Sequence, residues 1–136
     1  MTNSLAAWKE GRVFYDTNSH TLSYYMDRSN VTVNVGQEFH VRVKNQTGST
    51  ITNGSAVTLV NSSGAVPYAA LAQATTNISG NGYDCIGLAT EDIAHGEEEG
   101  GIVTALGIVH NVNTDGWLEG ATLYLSTNAE IGRAHV

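Results

Sequence analysis

The sequence predicts an all-β fold: a small antiparallel β-barrel or β-sandwich with short strands and Gly/Asn-rich turns. Apolar residues alternate with polar ones over short stretches, which is the two-residue period of half-buried strands. Clusters of Gly, Asn and Ser separate these stretches, and no segment sustains the period of an amphipathic helix. Charged residues make up only 14% of the chain, well below the share found in typical soluble domains.

The candidate strands follow one another at the spacing expected of a sandwich or small barrel. They cover residues 12–15, 21–25, 31–35, 39–43, 56–60, 68–73, 83–89, 102–112 and 121–126. Segment 68–73 is rich in alanine, which favours a helix, but we retain it as a strand.

Two neighbouring strands carry the clearest alternation. Residues 31–35 place valine at every second position, and residues 39–43 repeat the pattern after Gly36 and Gln37. This pattern predicts a hairpin with a short connection. The polar segment 16–20 predicts a turn between the first two strands in the same way.

Two glycines carry specific expectations. Gly107 interrupts an apolar strand, which predicts a bulge, a barrel corner or a close approach of two backbones. Asn53 and Gly54 predict a tight turn with positive φ, preceded by a short strand at residues 50–52. The polar loop 45–55 is therefore a candidate for surface recognition.

Composition limits the classes of function. The net charge of -7 argues against nucleic-acid binding, which depends on clustered Lys and Arg. Residues 1–9 lack the features of a signal peptide, and no stretch approaches the length of a membrane span. We expect one domain at residues 1–129, made in the cytoplasm and not bound to a membrane. Its core is large enough to fold without a disulfide or metal.

Candidate reactive residues are few. Cys85 lies in an apolar stretch and is predicted to be buried and inert. His95 precedes three glutamates at 97–99, but consecutive glutamates between glycines are typical of a solvated turn. His20, His40 and His110 are scattered, with His40 on the polar face of its strand. The sequence therefore predicts no catalytic residue, no cofactor and no metal site, and we expect no enzyme.

Several short motifs follow one another in a distinctive order. They are GRVFYD at 11–16, GQE at 36–38, VKNQTGSTITNG at 43–54, GLATEDI at 87–93, LGIV at 106–109 and WLEGATLYLS at 117–126. In this order they resemble a virion module of tailed bacteriophages, found in tail-fibre proteins and, more loosely, in capsid decoration proteins. The resemblance implies a structural β-module of the virion that acts by assembly rather than catalysis.

The chain departs from this family in two places. Residues 94–101 form an acidic loop where the module has a short glycine turn, and the chain ends at 130–136 where family members continue. Those seven residues, EIGRAHV, are also the in-frame translation of a common sequencing adapter. We expect a metagenomic fragment whose C-terminal tail is foreign to the module.

The resemblance also implies partners. We expect a homo-oligomer, with a trimer favoured, that contacts other virion proteins or a glycan of the host surface. The candidate interface residues are Tyr24, Tyr25 and Trp117, apolar side chains beside polar turns. The alternative is a carbohydrate-binding or adhesin-like sandwich with Trp8 or Trp117 as a stacking residue.

Overall fold

A computed structural model describes residues 6–74 and 85–127. Within these residues all regular structure is β, which confirms the predicted fold class. The strands are β1 (Val13–Asp16), β2 (Thr21–Tyr25), β3 (Thr32–Asn34), β4 (Glu38–Asn45), β5 (Ala56–Ser63), β6 (Val66–Leu71), β7 (Gly87–Ala89) and β8 (Gly101–Gly107).

The first three strands form an antiparallel sheet in the order β1-β2-β3. The turn between β1 and β2 is closed by Asp16, whose carboxylate accepts hydrogen bonds from Asn18 N and Ser19 Oγ, both at 2.8 Å. The hydrogen bond from the Asn18 backbone lowers the pKa of Asp16, and the hydrogen bond from the Ser19 side chain lowers it further. The predicted polar turn at 16–20 is confirmed.

The other five strands close into a barrel in the order β4-β6-β5-β7-β8. It closes because β4 pairs with β6 on one side and with β8 on the other. The β4–β6 pair is parallel and the other pairs are antiparallel, so the barrel is mixed. Alternation gives the period of a strand but not the direction of its partner, and the parallel pair was not predicted.

Apolar side chains from most parts of the barrel meet in its interior. The buried cluster contains Val43, Ile51, Val57, Ala69, Ala89, Ile93 and Val103. Ile51 and Ile93 form an isolated antiparallel bridge where the short strand 50–52 was expected, and Gly54 has the predicted positive φ of 82°. The barrel thus buries an apolar cluster of its own on folding.

The predicted hairpin between residues 31–35 and 39–43 is wrong. Both stretches contain strands, but β3 pairs with β2 and β4 pairs with barrel strands. A tight turn, in which Gln37 N donates to Asn34 O at 3.1 Å, joins them. Gly36 adopts φ 82° in this turn, which passes the chain from the three-stranded sheet to the barrel.

Gly107 lies where two backbones approach closely, which is one of the three features predicted for it. A Cβ there would lie 2.0 Å from Gln37 O, and its φ is 106°. The register between β4 and β8 also shifts between Phe39 and His40, next to this glycine. Strand β8 ends at Gly107 instead of continuing to residue 112.

The remaining strand predictions have mixed outcomes. Segment 68–73 is confirmed as a strand by β6. Residues 121–126 form no strand, and only Tyr124 is in a bridge. The beginning of the predicted strand 83–89 and the tail 130–136 lie outside the described residues.

Candidate functional site

One face of the three-stranded sheet is apolar, and four of its six side chains are exposed, whereas Tyr24 is half-buried and Val33 is 5% exposed. Directly paired residues share a face of a sheet, and the pairs here are Val13 with Tyr24, Tyr15 with Leu22 and Tyr24 with Val33. We call this the apolar face; its members are Val13, Tyr15, Leu22, Tyr24, Val33 and Val35. None of these side chains is charged at neutral pH, although the whole chain carries -7. Monomeric proteins seldom leave a continuous face of this kind in water.

The apolar face continues onto the barrel. Phe39 of β4 and Leu106 of β8 are register partners, and their exposed fractions are 71% and 74%. Together with Tyr24, Val33 and Val35 they line a groove of about 390 Å³. The register shift after Phe39 interrupts the regular alternation of β4 at this point. Sheet and barrel therefore present one shared apolar surface.

The predicted interface residues occupy three different environments. Tyr24 lies in the apolar face and lines the groove. Tyr25 points to the opposite face, where it is 6% exposed and packs against Phe14 with ring centroids 4.7 Å apart. Its hydroxyl donates to Ala6 O, so it has little surface to offer a neighbour. Trp117 is half-buried in the segment after β8. An interface role for these residues stays a prediction.

Charged groups hold the sheet against the barrel. Arg28, between β2 and β3, lies 3.1 Å from Glu97 and 3.7 Å from the buried Glu91, and it donates to Gly100 O at 2.9 Å. Burial raises the pKa of Glu91, and Arg28 opposes this shift. Glu97 of the acidic loop is thus paired with Arg28, which lies in the connection between β2 and β3.

A second arginine supports the same junction. Arg42 of β4 donates to Asp27 Oδ1 and to Glu99 O, both at 2.7 Å. The hydrogen bond from Arg42 lowers the pKa of Asp27. Glu97 to Glu99 therefore form an exposed loop that is fixed at both ends by arginines.

His95 contacts the neighbouring polar loop. Its Nδ1 accepts a hydrogen bond from Gly48 N at 3.1 Å. Within residues 6–74 and 85–127, no group of three or more His, Cys, Asp or Glu side chains is arranged to hold a metal ion.

The prediction that Cys85 is buried is wrong. The residue is exposed, and its Sγ lies 3.4 Å from Gly87 O. It stands two residues before β7, which begins only at Gly87, so the apolar residues after it belong to the barrel and it does not. Apolar neighbours in the sequence therefore did not imply a buried thiol.

The polar loop 45–55 is more ordered than its composition indicates. Asn45 is fully buried, and its Nδ2 donates to Ser49 O and Ile93 O, both at 2.7 Å. Its Oδ1 accepts from Thr47 N and Thr47 Oγ1. One asparagine side chain thus ties the loop to the barrel, and Thr47 to Thr50 remain exposed.

A polar cavity of about 240 Å³ lies between the inner face of the three-stranded sheet and the barrel. At its wall the Glu38 carboxylate, with a side chain 1% exposed, accepts hydrogen bonds from Asn34 N and Asn34 Nδ2. His110 Nε2 lies 2.7 Å from Glu38 Oε1, and His40 Nε2 lies 3.8 Å from Oε2. Ser23 Oγ in turn donates to Asn34 Oδ1 at 2.7 Å.

His40 lies on the strand face that carries Glu38 and Arg42, but the sheet covers that face here. Its side chain is 7% exposed, and its Nδ1 is buried without a hydrogen-bond partner in the part of the chain described. Burial lowers the pKa of His40; Glu38 acts against this shift and His110 adds to it. Sequence analysis missed this cluster because Glu38 and His110 are far apart in the chain and form no spaced motif.

Comparisons with protein-family models, with curated proteins and with solved structures each found no match. Among the described residues, no helix has the length and apolar composition needed to cross a membrane.

Proposed function

We propose that this chain is a structural module of a tailed-bacteriophage virion, a tail-fibre or capsid-decoration component that assembles with copies of itself. The observation that carries the assembly role is the apolar face, with its extension onto Phe39 and Leu106. The order of sequence motifs supports the virion role. In this proposal the chain has no catalytic activity.

A second copy of the chain is the occupant that we assign to the apolar face. Each copy carries a charge of -7, so two copies repel each other except where they meet through uncharged surface. The six side chains of the face are uncharged, and two of them are tyrosines, a residue type enriched in interfaces. Strand β1 is also an edge strand, which a neighbouring copy can cover.

The assembly role is tested by light scattering at micromolar concentration. We expect a trimer of about 43 kDa, three times the 14.4 kDa of one chain. Leu106→Lys places a charge in the extended face and should shift the mass towards that of the monomer. Leu118→Lys is the matched control, because Leu118 is 81% exposed and lies outside the face.

Two results would contradict assembly through this face. One is a wild-type mass of 14.4 kDa, and the other is an equal response to both leucine substitutions. The virion role has its own test in the genes that flank the reading frame. Portal, capsid or tail genes are expected there, and a metabolic operon would argue against it.

A further inference from the structure

We infer that the cavity between the sheet and the barrel binds a single neutral sugar residue. The site lies on the inner side of the three-stranded sheet, opposite the apolar face, and the inference does not depend on assembly. At about 240 Å³ the cavity is smaller than the pockets of about 300–1,000 Å³ that hold drug-sized ligands. It therefore suits one sugar ring and not an extended chain.

The charges of the wall exclude ionic ligands. Among the described residues, no Arg or Lys lines the cavity, whereas Asp16 and Glu38 do, which disfavours an anion. A cation is disfavoured because both carboxylates already have partners. Asn34 and His110 surround Glu38, and Asn18 N and Ser19 Oγ bind Asp16.

Uncharged hydrogen-bonding groups remain free in the wall. The side chains of Asn30, Thr32 and Asn111 have no hydrogen-bond partner within the described ranges. Thr90 Oγ1 and Thr104 Oγ1 share one hydrogen bond of 2.7 Å, which leaves each oxygen with further acceptor capacity. Amides and hydroxyls of this kind offer donors and acceptors side by side, as the hydroxyl groups of a sugar require.

The apolar part of the wall also fits a bound sugar. Val31 and Ile108 supply a small apolar part of the wall, against which the C–H groups of a sugar ring can pack.

The test is an NMR titration of the full chain, followed in ¹H–¹⁵N correlation spectra. The probes are the methyl glycosides of glucose, galactose, mannose and N-acetylglucosamine, added up to about 50 mM because one sugar bound in water is expected to have a Kd of order 1 mM. We expect at least one of them to shift the amide signals of Asn30, Thr32 and Asn111. Glycerol, inorganic phosphate and putrescine serve as the polyol, anion and cation probes and should leave these signals in place.

Thr32→Val is the matched variant, because it removes one free hydroxyl from the wall and keeps the shape of the side chain. It should weaken binding about three- to tenfold, the effect of one lost hydrogen bond. Thr122→Val, on exposed chain outside the cavity, should leave the Kd unchanged. The unperturbed signals of the barrel show that each variant folds.

The inference is overturned if no glycoside shifts the cavity signals, or if Thr32→Val and Thr122→Val bind alike. A response to phosphate or putrescine at the same signals would also overturn it, since the site would then select charge.

Discussion

The barrel encloses a central cluster of apolar residues, whereas the three-stranded sheet leaves most of one apolar face in contact with water. In the barrel, every strand is paired on both sides and the central cluster is almost fully buried. In the sheet, β1 pairs only with β2 among the residues that the structure describes, and its Val13 and Tyr15 are exposed. The two regions are built from the same kinds of residues, so the difference comes from topology and not from composition.

This difference concerns how each region buries its apolar residues. Closing a sheet into a barrel removes its edges and gives it an interior of its own. Three strands of three to five residues have no such interior, and they need another surface on each face. The barrel supplies that surface on one face through Glu38 of β4, which accepts hydrogen bonds from Asn34 of β3, and most of the other face is exposed.

The largest expected effect comes from breaking the closure of the barrel. A Cβ on Gly87 of β7 would lie 2.0 Å from Thr104 O and 2.7 Å from Thr104 C. Because backbone atoms cannot move aside, Gly87→Ala should lower the free energy of unfolding by about 4 kcal/mol or more. Urea denaturation measures this change.

Gly64→Ala is the control for that substitution. Gly64 has φ 62° and no heavy atom within 4 Å of a built Cβ, so only backbone strain of about 1 kcal/mol is expected. Equal losses for the two variants would mean that the β7–β8 contact is not needed for barrel stability.

A smaller effect should follow from loosening the sheet while the barrel stays closed. Arg28→Gln removes the cation beside the buried Glu91 and should cost about 1–3 kcal/mol, the range for a buried polar group that loses its partner. Hydrogen exchange should accelerate at the amides of β1 and β2 and remain slow in the barrel.

Arg12→Gln tests whether any lost arginine has this effect, because the Arg12 guanidinium donates only to Ala7 O among the described residues. Faster exchange throughout the barrel in the Arg28 variant would contradict the separation of the two regions.

The smallest expected effect is a pH dependence at the junction of the two regions. The fold holds the pKa of His40 below the 6.5 of a free imidazole, so the unfolded chain takes up this proton first as the pH falls. The stability contributed by the neutral imidazole is present above about pH 6.5 and is lost as the pH falls through the lowered pKa.

Denaturation curves at pH 7 and pH 5 should therefore differ less for His40→Gln than for the wild type. His95→Gln, which changes an exposed histidine outside the cavity, should keep the wild-type difference. The same pH dependence in all three proteins would show that His40 is not its source.

Local pattern predicted the strands well and their partners poorly. Strand β2 matches the predicted segment 21–25 to the residue, because its turn and its alternation are both local signals. The pairing of β4 with β6 and β8 depends on residues distant in sequence, for which one chain gives no signal. The false hairpin after β3 has this origin: two adjacent alternating segments look alike whether they pair or separate.

The candidate sites show the same limit. Tyr24 and Tyr25 were both predicted as interface residues because they are apolar and lie beside polar turns, but the sequence did not show that Tyr25 points away from the apolar face. Glu38 and His110 come into contact only when β4 pairs with β8, so no sequence motif predicts their contact. The burial of Asn45 was not predicted because Asn45 begins a polar loop, and its partner Ile93 is 48 residues away in the sequence.

The pairing of β4 with β8 also sets the order in which a growing chain can fold. The strands β1 to β3 pair with their immediate neighbours, so this sheet can form as soon as residue 34 has been synthesised. The barrel cannot close until Gly107, the partner of Glu38, has emerged from the ribosome. Throughout that interval the nascent chain displays both an apolar sheet face and a strand β4 that lacks its β8 partner, and exposed apolar surface and unpaired strand edges promote aggregation during synthesis.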